Sequence, residues 1–177
     1  MRERSKRADL AVYGPNFPRM TVLDVHMVST LTATCMKDWE KRKSWKEKKT
    51  VLPHILKAEG FKRSHYARAM REMFPGEKID IAKPLMQMGM DFVPFVVLPW
   101  GVIGPEADKF LRQLAQQAVE AEIDATPPAH RLCNNTTDSR GKVRVNQLHT
   151  RFRHIIITSL VHAVATTSAE RPYVSFK

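Results

Sequence analysis

Cysteine is scarce in this chain, because its 177 residues contain only two, Cys35 and Cys133. They lie far apart and lack the spacing of zinc ligands, so two structural thiols in a reducing compartment are expected. Long apolar runs are absent as well. The segment 92–103 is shorter than the roughly 18 to 20 residues that span a bilayer, and it contains two prolines. The sequence therefore predicts an intracellular protein without a membrane span.

Acidic residues are also in short supply, with 18 Asp and Glu against 29 Lys and Arg and a net charge of +11. This excess of positive charge favours a polyanionic partner such as RNA or DNA. The basic residues 1–7 run directly into the first strand candidate, which leaves no room for a cleaved targeting peptide. The length suits one domain with a full hydrophobic core and some extensions.

The pattern of apolar residues predicts a mixed α/β fold (α+β), a small mixed β-sheet with packed helices and a C-terminal helix. The turn-rich segment 13–18 joins the first two strands in a hairpin, and the prolines of the third strand restrict it to an edge or a bulge. Strands are predicted at 8–12, 22–28 and 91–100, and helices at 54–72, from 105 onward and at 146–167.

Two acids interrupt the first two predicted strands, Asp9 in the first and Asp24 in the second. An unpaired carboxylate is costly to remove from water, so this pattern indicates a metal ion, a basic partner or a shared polar network. Because the strands form a hairpin, the two acids should be neighbours in space. They could pair with Arg7, Arg19 or Lys62 in an ion-pair network that needs no metal.

Basic side chains in four segments are the candidate contacts to nucleic acid. The helix-prone segment 37–49 also contains Trp39 and Trp45, which suit either base stacking or anchoring in a core. The segment 124–145 is predicted to be a long basic loop, which is typical both of phosphate binding and of disorder. The candidate residues are Lys41, Arg42, Lys43, Lys46, Arg63, Arg140, Lys142, Arg144, Arg151 and Arg153.

The order of several motifs resembles a known family. Arg7-Ala8-Asp9-Leu10 and Leu23-Asp24-Val25 are followed by Glu59-x-x-Lys62-x-x-x-Tyr66 and by Phe92-Val93-Pro94-Phe95-Val96-Val97, which leads into Gly101-x-x-Gly104-x-Glu106-Ala107. Across residues 7–118 this order resembles the restriction-endonuclease-like domain near the C-terminus of many eukaryotic non-LTR retrotransposon polyproteins. The resemblance implies a nuclease-like core at 1–123, followed by the basic loop and by a C-terminal helix and extended tail, 146–177, packing on that core.

This family resembles the PD-(D/E)xK nucleases, in which two acids on adjoining strands bind Mg²⁺ and a lysine orients or activates the attacking water. The resemblance implies that Asp9 and Asp24 are the metal ligands and that Lys62 completes a catalytic set. The common pattern has lysine two residues after the second acid, but this chain has His26 there. A neutral histidine is a poor substitute for a permanent cation.

Three functions follow as alternatives. The one favoured by His26, and by the absence of reverse transcriptase sequence from these residues, is a non-catalytic, nucleic-acid-binding component of a ribonucleoprotein assembly such as a ribosome, without a cofactor. RNA is favoured over DNA, and other protein chains are expected as partners. The second is an active Mg²⁺-dependent endonuclease of retrotransposon origin. The third is a protein-interaction subunit of a large complex, whose charge serves only solubility.

Overall fold

The computed structural model describes residues 9–14, 18–28, 52–98 and 101–169. Over these residues the chain is a mixed α/β protein with a three-stranded mixed sheet and three α-helices. It divides into two compact units, Met1–Asp108 and Lys109–Lys177. The division between these units falls inside the helix Pro105–Ala125.

The sheet of the first unit has the strand order β1-β2-β3. Strand β1 (Leu10–Val12) runs antiparallel to β2 (Thr21–Met27), and β3 (Asp91–Val97) runs parallel to β2 on its other side. The hairpin predicted from the turn-rich segment 13–18 is confirmed by the antiparallel pairing. Proline removes a backbone donor, and β3 is at the edge of the described sheet, as its prolines predicted.

Helix α1 (Leu52–Met73) connects β2 to β3 across one face of the sheet and confirms the helix predicted at 54–72. Parallel strands need such a crossover, because a tight turn cannot join them. Along β2 the side chains alternate between faces, so Val22, Asp24 and His26 share one face. Val22 packs there in a core cluster with residues of α1 and β3, which are Tyr66, Ala67, Met70 and Phe92, together with Ile79 and Leu85.

Helix α2 (Pro105–Ala125) begins directly after Gly104, as the proline at its first position predicted. Gly104 lies against α1, and a Cβ atom there would stand 2.4 Å from Glu59 Oε1 and 2.9 Å from Ile55 Cγ2. Real Cβ atoms do not approach other atoms so closely, so only glycine fits without displacing these side chains. The Gly-x-x-Gly step thus brings the start of α2 against α1.

The second unit pairs the later part of α2 with helix α3 (Ser139–Ala169). Its core cluster contains Ala115, Val119 and Ile123 from α2, Val145 from α3, and the buried Cys133 between them. Leu148 and Phe152 are half-buried against the same cluster, which agrees with the i, i+4 apolar row predicted for the last helix.

The basic loop predicted at 124–145 is wrong from residue 139 onward, because α3 begins at Ser139 and places Arg140, Lys142 and Arg144 in its first two turns. The cause is a helix cap. Asp138 Oδ1 accepts a hydrogen bond from the Gly141 amide at 2.6 Å, which satisfies a donor that the first turn of a helix leaves open. The Gly141 amide and further backbone amides also lower the pKa of Asp138.

Among the residues that the structure describes, none of the helices is both long and apolar enough to cross a membrane. The helix-prone segment at 37–49, with Trp39, Trp45 and its four candidate nucleic-acid contacts, lies outside the described residues. The same is true of Arg7, Cys35 and the extended tail at 170–177.

Candidate functional site

The two acids of the hairpin come together as predicted. Leu10 pairs with Leu23 in the antiparallel register, and Asp9 directly precedes Leu10 while Asp24 directly follows Leu23. The Asp9 amide donates to the Leu23 carbonyl at 3.1 Å, and Asp9 Oδ2 accepts from the Val25 amide at 2.7 Å. Asp9 is exposed whereas Asp24 is buried. The hairpin therefore presents one surface carboxylate beside one interior carboxylate.

Lys62 supplies the cation for the buried acid. Its Nζ lies 2.8 Å from Asp24 Oδ1, with the side chains 19% and 10% exposed. The spacing along α1 explains the contact, because Lys62 lies one turn before Tyr66, whose ring packs in the core against the same sheet face. The charged end of Lys62 thus reaches Asp24 while its aliphatic stem follows the helix surface.

Tyr66 is a second partner of Asp24. Its hydroxyl donates a hydrogen bond to the Asp24 carboxylate, and its ring packs on Phe92 with centroids 4.4 Å apart. The pKa of Tyr66 is raised to about 12. Burial is the largest cause, and the negative charges of Asp24 and Asp9 add to it. The hydroxyl therefore keeps its proton at neutral pH and acts as a fixed donor that holds the carboxylate in place.

His26 borders the same site on the helix-facing side of β2. Burial and then the positive charge of Lys62 lower its pKa below the ordinary value, against a smaller opposing effect of Asp24. At neutral pH His26 is therefore an uncharged imidazole. The positive charge next to Asp24 therefore comes from Lys62 of α1 and not from His26.

Glu59 and Arg63 form a second polar layer that joins α1 to the start of α2. Glu59 is 4% exposed and its Oε1 accepts a hydrogen bond from the Glu106 amide at 3.2 Å. Arg63 Nη2 lies 3.0 Å from Glu106 Oε2, and Nη1 donates to the Ala82 carbonyl. Arg63 was predicted to contact nucleic acid, but in this structure its guanidinium is used to hold α2 and the segment before β3.

The donor set of the acid pair fits Mg²⁺. This ion prefers hard oxygen ligands and is commonly held through one or two carboxylates, with water and substrate phosphates completing its coordination. Each carboxylate has about four acceptor positions, which the contacts above do not exhaust. No group of three or more His, Cys, Asp or Glu side chains suited to a metal occurs among the described residues. Asp9 and Asp24 are the residues that would hold such an ion.

Some of the other predicted nucleic-acid contacts are exposed to solvent, and others interact with groups of the chain itself. Arg140, Lys142 and Arg151 are exposed on α3. Arg144 Nη2 instead forms an ion pair with Glu122 Oε2 at 3.1 Å, and Arg153 is half-buried and also interacts with another group of the chain. These α3 residues belong to the second unit, whereas the acid pair belongs to the first.

The sequence predicted Asp9, Asp24 and Lys62 for the site but not the role of the Tyr66 hydroxyl or the bond from Glu59 to α2. Both roles could have been predicted from the spacing of Glu59 and Tyr66 relative to Lys62. Positions 59, 62 and 66 fall on one side of a helix, and the acid on β2 that faces this side needs partners beyond a single lysine.

No protein-family model, no curated protein and no solved structure matches this chain. Its function is therefore inferred from the chemistry of its own residues.

Proposed function

We propose that this chain binds nucleic acid and that Asp9, Asp24 and Lys62 form a Mg²⁺-dependent site for cleaving phosphodiesters, of the PD-(D/E)xK type. The observation that carries the proposal is the meeting of three residues from separate parts of the sequence. The two acids flank the Leu10–Leu23 pair of the hairpin, where Asp9 Oδ2 accepts from the Val25 amide, and Lys62 Nζ reaches Asp24 at 2.8 Å from the crossover helix.

The chemistry assigns a task to each residue. Mg²⁺ bound by the two carboxylates would polarise a phosphate and lower the pKa of a bound water. Asp9, being exposed, lies on the side from which a polyanion can approach. Lys62 is the cation that stabilises negative charge developing on the phosphate and orients the attacking water. Tyr66 and the Val25 amide hold the two carboxylates in fixed positions.

A second candidate is favoured by one specific observation. Asp24 is already satisfied by Lys62 and Tyr66, which is the ion-pair network expected if no metal binds, and His26 stands at the usual lysine position. In that case the chain is a non-catalytic RNA-binding component of a ribonucleoprotein assembly. Its net charge of +11 then serves phosphate binding alone.

The test is cleavage of labelled single-stranded and duplex RNA and DNA by the purified chain with Mg²⁺, Mn²⁺ or Ca²⁺. Asp24→Asn and Lys62→Met are compared with Asp91→Asn, which changes an exposed acid at the start of β3. Thermal melts monitored by circular dichroism confirm that each variant is folded. Binding to the same probes is recorded at several salt concentrations.

If the chain is a nuclease, Mg²⁺-dependent cleavage should fall by roughly 100-fold or more in Asp24→Asn and Lys62→Met and should be unchanged in Asp91→Asn. Salt-sensitive binding without cleavage, equal in all variants, supports the non-catalytic candidate and contradicts the nuclease. Absence of both activities contradicts both proposals and favours a protein-interaction subunit.

A further inference from the structure

The outward face of α1 combines two aromatic rings with two cations. Phe61 is 68% exposed, and its ring stacks on that of His65, with centroids 6.5 Å apart and planes inclined by 24°. Lys57 precedes Phe61 by four residues and Arg68 follows His65 by three, so all four lie in one row along the helix. We call Lys57, Phe61, His65 and Arg68 the α1 stripe.

Single exposed apolar side chains are common and need no explanation, but the α1 stripe is a group of four neighbouring side chains. All four of its residues are exposed, and its two rings share a stacked arrangement at the surface. Its two cations have no carboxylate partner among the described residues. The helix contains seven Lys, Arg and His residues but only two acids, the buried Glu59 and Glu72 near its end.

We propose that the α1 stripe is a stacking platform for an unpaired base of a nucleic acid strand, with Lys57 and Arg68 contacting the flanking phosphates. Base stacking on aromatic side chains tolerates any sequence, because every base has a π-face. Cations on both sides of the rings match the charge of a strand that crosses the helix there.

The platform adjoins the acid pair through a chain of rings. His65 meets Tyr66 edge to face with centroids 6.0 Å apart, and the Tyr66 hydroxyl bonds to Asp24. Phe61 also directly precedes Lys62 in the sequence. A base held on the α1 stripe would therefore bring its strand beside the candidate site. This inference rests on the proposed function, since it assumes that nucleic acid is the ligand.

The experiment uses oligonucleotides of mixed sequence, as single strands and as duplexes, with 2-aminopurine at one position. Its fluorescence falls when the base stacks on an aromatic ring. The variants are Phe61→Ala, Phe61→Tyr to restore a ring, and Leu56→Ala as the control. Leu56 is an apolar residue of the same helix that is 49% exposed and lies outside the stripe.

We expect Phe61→Ala to weaken single-strand binding by roughly 5- to 100-fold, to abolish the fluorescence quenching, and to leave the salt dependence unchanged. Phe61→Tyr should restore both binding and quenching, and Leu56→Ala should match the unmodified chain. Lys57→Ala and Arg68→Ala should instead reduce the salt dependence, because each removes a phosphate contact.

Other outcomes would overturn the inference in distinguishable ways. If the unmodified chain binds no nucleic acid, the proposed function fails together with the platform. If it binds, but Phe61→Ala has the same affinity and quenching, only the platform is wrong. A change confined to self-association, measured by sedimentation velocity, would identify the stripe as a protein contact instead.

Discussion

Glu59 is an acidic residue that the fold buries, and burial disfavours its charged form. The residue is 4% exposed, and its carboxylate accepts a hydrogen bond from the Glu106 amide of α2. Burial raises the pKa of Glu59, more than the Glu106 amide and the Arg63 charge lower it. A protonated Glu59 is therefore favoured in the folded chain relative to the unfolded chain.

The sign of the resulting pH dependence follows from proton binding. Between the ordinary pKa of glutamate and the raised value, the folded state binds a proton that the unfolded state has lost, so the free energy of unfolding falls as pH rises. Glu59→Gln replaces the titratable carboxyl group with a neutral amide. The amide oxygen can still accept a hydrogen bond from the Glu106 backbone amide. We expect the variant to gain stability relative to the unmodified chain as pH rises above the ordinary pKa of glutamate.

Urea denaturation at several pH values measures this difference, with Glu77→Gln as the control because Glu77 is exposed. Parallel pH profiles for the unmodified chain and Glu59→Gln would contradict the assignment. A changed profile in Glu77→Gln would show that the effect belongs to net charge rather than to the buried carboxylate.

Two glycines that lie within helices differ in the space around their Cα atoms. A Cβ at Gly141, in the first turn of α3, would stand 1.9 Å from the Asn135 carbonyl oxygen and 2.8 Å from Thr136 Cα. Both atoms are backbone and cannot move aside as a flexible side chain can. A Cβ at Gly60, in the middle of α1, would have no atom within 4 Å.

The two alanine substitutions should therefore change stability in opposite directions. Gly60→Ala should stabilise the chain by about 0.5 to 1 kcal/mol, because alanine has the higher helix propensity. Gly141→Ala should destabilise it by about 2 kcal/mol or more, because it displaces the segment that caps α3. Chemical denaturation measures both, and equal effects would contradict the close approach at Gly141.

Most elements of the first unit could be predicted from local patterns, because strand alternation, helix spacing and the Gly-Pro helix start are local signals. The start of α3 was missed because Arg140, Gly141 and Lys142 have the composition of a loop, and the Asp138 cap outweighs that composition. At the candidate site, the pairing of Lys62 with Asp24 could be predicted. The Glu59 contact was not predicted, since it depends on how closely Gly104 lets α2 approach.

The charge of the whole molecule, +11, makes a prediction about salt. Arg140 and Lys142 have no ion pair among the residues that the structure describes, whereas Arg144 is paired with Glu122. Lys142→Ala should reduce the slope of log affinity against log salt by about 1. Arg144→Ala should leave the slope unchanged, since its charge is already neutralised.

Fluorescence anisotropy with a labelled RNA at four or more salt concentrations determines the slopes. Equal slopes for the unmodified chain and Lys142→Ala would show that α3 is not part of the surface that binds nucleic acid. A reduced slope in Arg144→Ala would mean that its ion pair with Glu122 opens when nucleic acid binds.

The parallel pairing of β2 with β3 has a consequence for synthesis of the chain. Chains emerge from the ribosome N-terminus first, so the hairpin and α1 are complete before Asp91, which pairs with Thr21, is added. A nascent chain that ends before β3 already contains Asp9, Asp24, Lys62 and Tyr66. It lacks Phe92, against which the Tyr66 ring packs, so the site acquires its final geometry only after the third strand has been made.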